Sequence, residues 1–159
     1  MGHLFTPFHK NCKNWSSGFA SFLTSHKQGF HRLSVAIRCR IGSMEEIDLA
    51  LLDTGAEWSV IDGETAEILG DEIGLSSGEI NIDTRLGKLR GALHRVDITL
   101  LAEEGCGRDL TVNGTVIVSK EWDGPIVLGY RGFMERIRIA LDPGFLDDRQ
   151  VFYFGPVDP

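Results

Sequence analysis

The sequence predicts an all-β domain, a closed barrel of short strands, and three observations carry that prediction. Apolar residues recur at period two, or in short unbroken runs, over Ser34–Ile41, Ile47–Leu52, Glu79–Thr84, Leu89–Leu101, Leu110–Ser119, Ile137–Asp142 and Val151–Phe154. Glycine, proline and polar clusters punctuate those runs, and helical patterning is confined to brief stretches. The chain has 159 residues, 42% of them apolar, with no internal repeat, which suits one domain with a proper core. Many short strands with few helices close most readily into a barrel, which leaves no exposed edges.

In chain order, residues 1–32 are rich in Phe, Ser, His and Lys without a clean period. They read as a basic arm, poorly ordered or a pro-segment, with a short helix around Gly18–Thr24. The domain proper spans residues 33–159. Ser34–Ile41 is a strand, Gly42-Ser43 a turn, and Ile47–Leu52 a second strand that ends on Asp53. Val60-Ile61 leaves that turn. Gly63–Leu69 forms a brief helix stopped by Gly70. Glu79–Thr84 and the run from Leu89 to Leu101 make a hairpin with Gly87 near its tip. After a polar loop, Leu110–Ser119 is one long strand or, if Asn113-Gly114 turns, two short ones. Tyr130–Ile137 suits about two helical turns, Ile137–Asp142 a strand closed by Pro143, and Val151–Phe154 a terminal strand.

Composition excludes several classes. Residues 1–32 hold four basic and no acidic residues, hence +4; the remainder holds 12 basic and 23 acidic, hence −11, within a net charge of −7. A body so acidic is a poor nucleic-acid binder. No apolar run is long enough to span a bilayer, and the N-terminus lacks the apolar segment and small-residue cleavage site of a secretory signal. The expected setting is therefore cytoplasmic, with no membrane partner. Cys12, Cys39 and Cys106 form no even framework and no CxxC pair, and read as reduced thiols. His26 and His31 lack metal-ligand spacing, His94 sits on a strand face, and no phosphate-cradling glycine loop precedes a helix, so neither metal nor cofactor is expected.

One stretch carries chemistry. Leu49-Ala50-Leu51-Leu52 delivers Asp53 into the turn Thr54-Gly55-Ala56, and Glu57-Trp58-Ser59-Val60-Ile61 leads back inward. A lone carboxylate at the edge of a dry interior is costly, and becomes reasonable if a second carboxylate shares its proton. The chain has a single Asp-Thr-Gly, so a catalytic partner for Asp53 must come from a second copy.

These residues resemble the active-site turn of the retropepsin-like aspartic proteases. A second element, Pro125-Ile126-Val127-Leu128-Gly129, resembles the apolar-apolar-Gly segment that this family places before a short helix. The resemblance runs from about Leu33 to Gly155. It implies a closed barrel with one short helix, working as a homodimer on a polypeptide substrate without metal or cofactor. Asp53 is then the catalytic residue of each protomer, and Thr54, Gly55 and Ala56 support the turn. Thr54 would bond across the dimer axis and Gly55 would let substrate backbone pass close. Ala56 replaces the serine of pepsin-like sites, whose hydroxyl favours the charged carboxylate, and this moves the expected activity towards mildly acidic or neutral pH. Glu57 would bind substrate backbone, and Gly87 would sit at the tip of a flap, a tip with fewer glycines than the family often carries.

Two positions depart from the family. Trp58 stands where viral relatives are polar, and either lines an apolar subsite or belongs to the core. Tyr130 replaces the arginine after Gly129, so the usual arginine–carboxylate brace comes from Arg131 or is absent. The resulting expectation is an aspartic endopeptidase with an Asp53 dyad across a homodimer. Its rival is a catalytically silent module that keeps the fold for dimerisation or peptide binding. Removal of the basic arm by the dyad itself is a further possibility.

Overall fold

In the computed structural model, residues 15–27, 30–45, 47–84, 87–142 and 150–157 are described. The N-terminal part is a long antiparallel hairpin of β1 (Ser16–Lys27) and β2 (Phe30–Ile41), with Ala20 opposite Ile37 and Lys27 opposite Phe30. Period two sets the faces of β2: Val35, Ile37, Cys39 and Ile41 are buried, while Arg38 and Arg40 are exposed. β3 (Ile47–Leu52) returns antiparallel on β2, with a register shift between Ile37 and Cys39. β4 (Ser59–Asp62) follows the Asp53 turn and feeds the single α-helix among the described residues, α1 (Gly63–Leu69). The Asp62 carboxylate caps α1, accepting from the Thr65 backbone N–H at 2.7 Å and the Thr65 hydroxyl at 2.9 Å.

β5 (Gly78–Thr84) and β6 (Gly87–Leu100) form the expected hairpin, and β7 (Leu110–Ser119) is one unbroken strand through Asn113-Gly114. Then come β8 (Val127–Leu128), β9 (Ile137–Asp142) and β10 (Val151–Pro156). The hydrogen-bonded order is β5-β6-β7-β4-β8-β3-β2-β1-β10-β9, and β6 also pairs with β2. The run of neighbours from β6 through β7, β4, β8, β3 and β2 therefore returns to β6. Over the described residues the protein is all-β with one short α-helix.

The main core gathers Ile37, Cys39 and Ile41 of β2, Val96, Ile98 and Leu100 of β6, Val112 and Val116 of β7, and Phe152 and Phe154 of β10. Burial pushes the Cys39 thiol up from its ordinary 9.0 to about 12. Cys106 is only half-buried. Alkylation of the folded protein in mild alkali is therefore expected to modify Cys106 and to reach Cys39 only on unfolding, as mass mapping of the labelled peptides will report. The same shift makes the Cys39 contribution to stability complete below pH 9.0 and progressively lost towards pH 12, because only the unfolded chain ionises readily.

The structure alters two expectations. Gly18–Thr24, expected as a short helix, lies in β1, where Ala20 and Phe22 face the core and the backbone pairs with β2 and β10. Strand neighbours on both sides decide the conformation there over weak local preference. The boundary at residue 32 thus falls inside β2, and Met1–Asn14 of the arm lie outside the described residues. Second, Tyr130–Ile137 is not two helical turns but a loop with one 3₁₀ turn, Met134–Arg136. Gly132 adopts φ +73° there and its carbonyl accepts from Thr115, a geometry that interrupts a helix. The terminal strand is present as expected; β10 lies between β1 and β9, so both its edges are engaged within its own chain.

Candidate active site

The apolar run of β3 continues as a ladder up to the Asp53 turn. β8 lies parallel to β3, with Leu51 opposite Val127 and Leu52 opposite Leu128, and antiparallel to β4 through Val60 opposite Val127. The segment 126–131 is thereby threaded between the strand entering the Asp53 turn and the strand leaving it. The two elements singled out in the sequence, about seventy residues apart, are brought into direct contact.

Five hydrogen bonds fasten them. Leu51 N donates to Ile126 O at 2.8 Å, and Asp53 N to Leu128 O at 3.0 Å. Beyond the turn, Tyr130 N donates to Ala56 O at 2.9 Å and Arg131 N to Glu57 O at 2.7 Å. Gly129 N donates to the Ser59 hydroxyl at 3.0 Å in a fully buried setting. A side chain at 129 has no room: a Cβ there would overlap the Trp58 carbonyl and lie 2.8 Å from Ser59 N. The turn also closes on itself, with Ala56 N donating to Asp53 O at 3.1 Å and Gly55 N to Asp53 Oδ1 at 2.9 Å.

Asp53, Thr54 and Gly55 are exposed at the apex of this clamped turn, and Ala56 is half-buried beneath it. The backbone that carries the carboxylate is fixed while the carboxylate itself is open to solvent and to a partner. Glu57 forms an ion pair with Arg131, Nε to Oε1 at 3.3 Å, and the Arg131 guanidinium lies 5.7 Å from the centroid of the Trp58 ring. An arginine–carboxylate pair with Glu57 is thus present, and Arg131 makes it. Both side chains of the pair are more than half exposed, so it orients Glu57 and adds at most about 1 kcal/mol of stability.

Trp58 is half-buried, with its ring in a second apolar cluster built on Val60, Leu89, Ile117 and Val127. Ala56 joins from the turn and Ile80, Ile82 and Leu93 join from the β5–β6 hairpin, so hairpin and turn share one apolar layer. Gly87 is exposed at the start of β6, where its carbonyl accepts from the Thr84 hydroxyl at 2.7 Å. Arg85 and Leu86, the rest of the hairpin tip, are outside the described residues. His94 binds the Gly74 carbonyl through Nδ1 at 2.7 Å and holds a loop onto β6, a structural task.

Two participants were not singled out in the sequence. Trp122 packs into the second cluster and donates from Nε1 to Pro125 O at 2.9 Å, buttressing the segment that clamps the turn. Ser59 is the other; a polar residue within the apolar exit from the turn was the signal for it. Ser59→Ala leaves the buried Gly129 N–H without its acceptor and is expected to destabilise the protein by about 1–3 kcal/mol, measurable by urea denaturation.

No group of three His, Cys, Asp or Glu side chains able to hold a metal occurs among the described residues, and no helix among them is long and apolar enough to cross a membrane. No family model and no curated protein matches the chain. The Asp53 carboxylate, carried on this clamped turn and open to solvent, can serve as an acid or as a base, but not as both in one step.

Proposed function

We propose that the protein is an aspartic endopeptidase of retropepsin type, a closed-barrel protomer acting as a homodimer whose two Asp53 side chains form the dyad. The observation that carries this reading is the clamp: Asp53 stands exposed on a turn fixed by Ile126, Leu128, Tyr130 and Arg131, with no space for a side chain at Gly129. A merely structural Asp/Gly turn needs no such reinforcement, whereas a catalytic carboxylate must be held to within a fraction of an ångström.

Two close carboxylates share one proton, since both cannot be ionised at that distance. The ionised Asp53 accepts a proton from water as the water oxygen bonds to the scissile carbonyl carbon. Asp53 of the partner subunit gives its proton to the carbonyl oxygen. The resulting tetrahedral diol breaks its C–N bond as the amine nitrogen takes a proton from the protonated carboxyl and one diol hydroxyl returns a proton to the ionised carboxylate, so that one water is consumed per bond cut and the dyad keeps its single proton. Thr54 locks the two turns together across the axis. Glu57, oriented by Arg131, receives substrate backbone, and the β5–β6 hairpin with Gly87 near its tip closes over the cleft to exclude water. Ala56, Trp58 and Val127 supply an apolar floor.

The test is cleavage of a diverse peptide mixture between about pH 4 and about pH 8 at high protein concentration. A bell-shaped pH profile is expected, because the active dyad holds one proton, not two and not none. Cleavage should be blocked by a peptide analogue with a hydroxyl-bearing carbon in place of the scissile carbonyl. A dimer that binds peptides and cuts none at any pH would favour the silent-module reading.

A further inference from the structure

The sheet ends at two strands, β5 and β9; each has one neighbour among the described residues, β6 and β10 respectively. These two edges differ in what they offer a second copy of the chain. On β5, Glu79 and Asp83 are exposed four residues apart around Asn81. An antiparallel two-fold pairing centred on Asn81 would set Glu79 against Asp83 of the partner subunit, acid against acid, twice. Glu79 is moreover already paired with Arg90, at 2.8 Å. That edge repels its own copy.

β9 has the same spacing with opposite charges. Arg138 and Asp142 lie four residues apart around Ala140, with Ile139 and Leu141 between them. A two-fold pairing centred on Ala140 sets Arg138 against Asp142 of the partner subunit, and Asp142 against Arg138 of the partner subunit. Ile139 then meets Leu141 of the partner subunit, and Ala140 meets its own copy at the axis. Sliding the pairing to centre on residue 138 or 142 would bring like charges face to face. Leu141, 42% exposed and thus one of the large apolar side chains left open, would gain a cover. Arg138 and Asp142 each hold interactions within their own chain, so the cross-axis pairs would add to those.

We propose that the two protomers join antiparallel along β9, centred on Ala140, giving a continuous six-stranded sheet β1-β10-β9 followed by β9-β10-β1 of the partner. The proposal rests on the dyad reading for its need of a second copy. It deepens that reading by assigning the seam to β9, since β10 is engaged on both sides. The seam is connected to the catalytic turn by a short stretch, because the chain runs from the 126–131 clamp through one 3₁₀ turn into β9.

Sedimentation of charge-swapped variants tests the register without recourse to activity. R138D sets acid against acid at both ends of the seam, and D142R sets base against base, so each variant alone should dimerise more weakly than wild type by roughly tenfold or more. Mixed in equal amounts, R138D and D142R restore both opposite-charge pairs, and a heterodimer should form with an affinity near that of wild type. Dimers undiminished in either variant, or no recovery on mixing folded variants, would overturn the proposal. So would a wild-type chain that remains monomeric at high concentration. An A140C variant also lacking Cys12 and Cys106 should form a disulfide-linked dimer on oxidation, whereas the equivalent N81C variant should not; the reverse pattern would assign the seam to β5 and overturn the proposal. If the mixed heterodimer forms and neither it nor wild type cuts any peptide, the protease reading fails while the seam stands.

Discussion

Asp53→Asn is expected to lower peptide cleavage by roughly 10³-fold or more while leaving the fold intact. The loss is large because the substitution removes both chemical roles at once. An amide cannot take a proton from water, nor can it hold the shared proton for the carbonyl oxygen. The fold survives because Asp53 is exposed and its side chain makes one turn-closing bond, from Gly55 N to Oδ1 at 2.9 Å. The amide oxygen of asparagine can accept that bond. The change in stability should therefore stay within about 0.5 kcal/mol, as expected for an exposed position. Steady-state cleavage and thermal melting of the two proteins side by side separate the effects. A variant that loses activity and melts far lower would mean that Asp53 holds the turn together instead of performing the chemistry.

Gly129→Ala has the largest expected effect on stability. Its methyl would overlap the Trp58 carbonyl, and backbone cannot rotate aside as a long side chain can. The segment 129–131 must then move off the turn. That threatens the bonds from Gly129 N to Ser59, from Tyr130 N to Ala56 and from Arg131 N to Glu57 together. A loss of about 3–5 kcal/mol is expected, at the upper end for a single substitution, with cleavage abolished in whatever remains folded. Urea denaturation gives the first and activity in dilute denaturant-free buffer the second. Normal stability would mean that the clamp tolerates a separation it has no room to show.

The legible part of the fold follows from period-two burial. β7 was readable as strand over Leu110–Ser119, with a turn at Asn113-Gly114 left open, because buried and exposed residues alternate through its first half, and α1 over Gly63–Leu69 because Asp62 caps it and Gly70 ends it. β1 was not legible. Its buried positions include Ser17, Gly18 and Ala20, too small to mark a face, and its conformation depends on β2 and β10, one of them more than a hundred residues away in sequence. The 3₁₀ turn was misread as a longer helix because a positive φ at Gly132 depends on its contact with Thr115, which no local pattern carries.

The candidate site divides in the same way. Asp53-Thr54-Gly55-Ala56 and Ile126-Val127-Leu128-Gly129 could each be found in the sequence, while the parallel β3–β8 pairing that joins them could not. The choice of Arg131 over absence as the brace for Glu57 also needed the structure, since it depends on the register between residues 57 and 131. Ser59 and Trp122 were missed because their importance lies in single hydrogen bonds to backbone that is distant or lies around a turn.

The claim that one active site needs Asp53 from two chains is tested most directly by subunit mixing. Wild type and Asp53→Asn are combined at fixed total concentration, allowed to exchange subunits, and assayed on one peptide. If every active site draws one carboxylate from each of two chains, the rate falls as the square of the wild-type fraction, and an equal mixture retains roughly a quarter of the wild-type rate. A rate that falls in simple proportion, with about half remaining in the equal mixture while heterodimers are shown to form, would mean that each chain acts alone and would contradict the dyad.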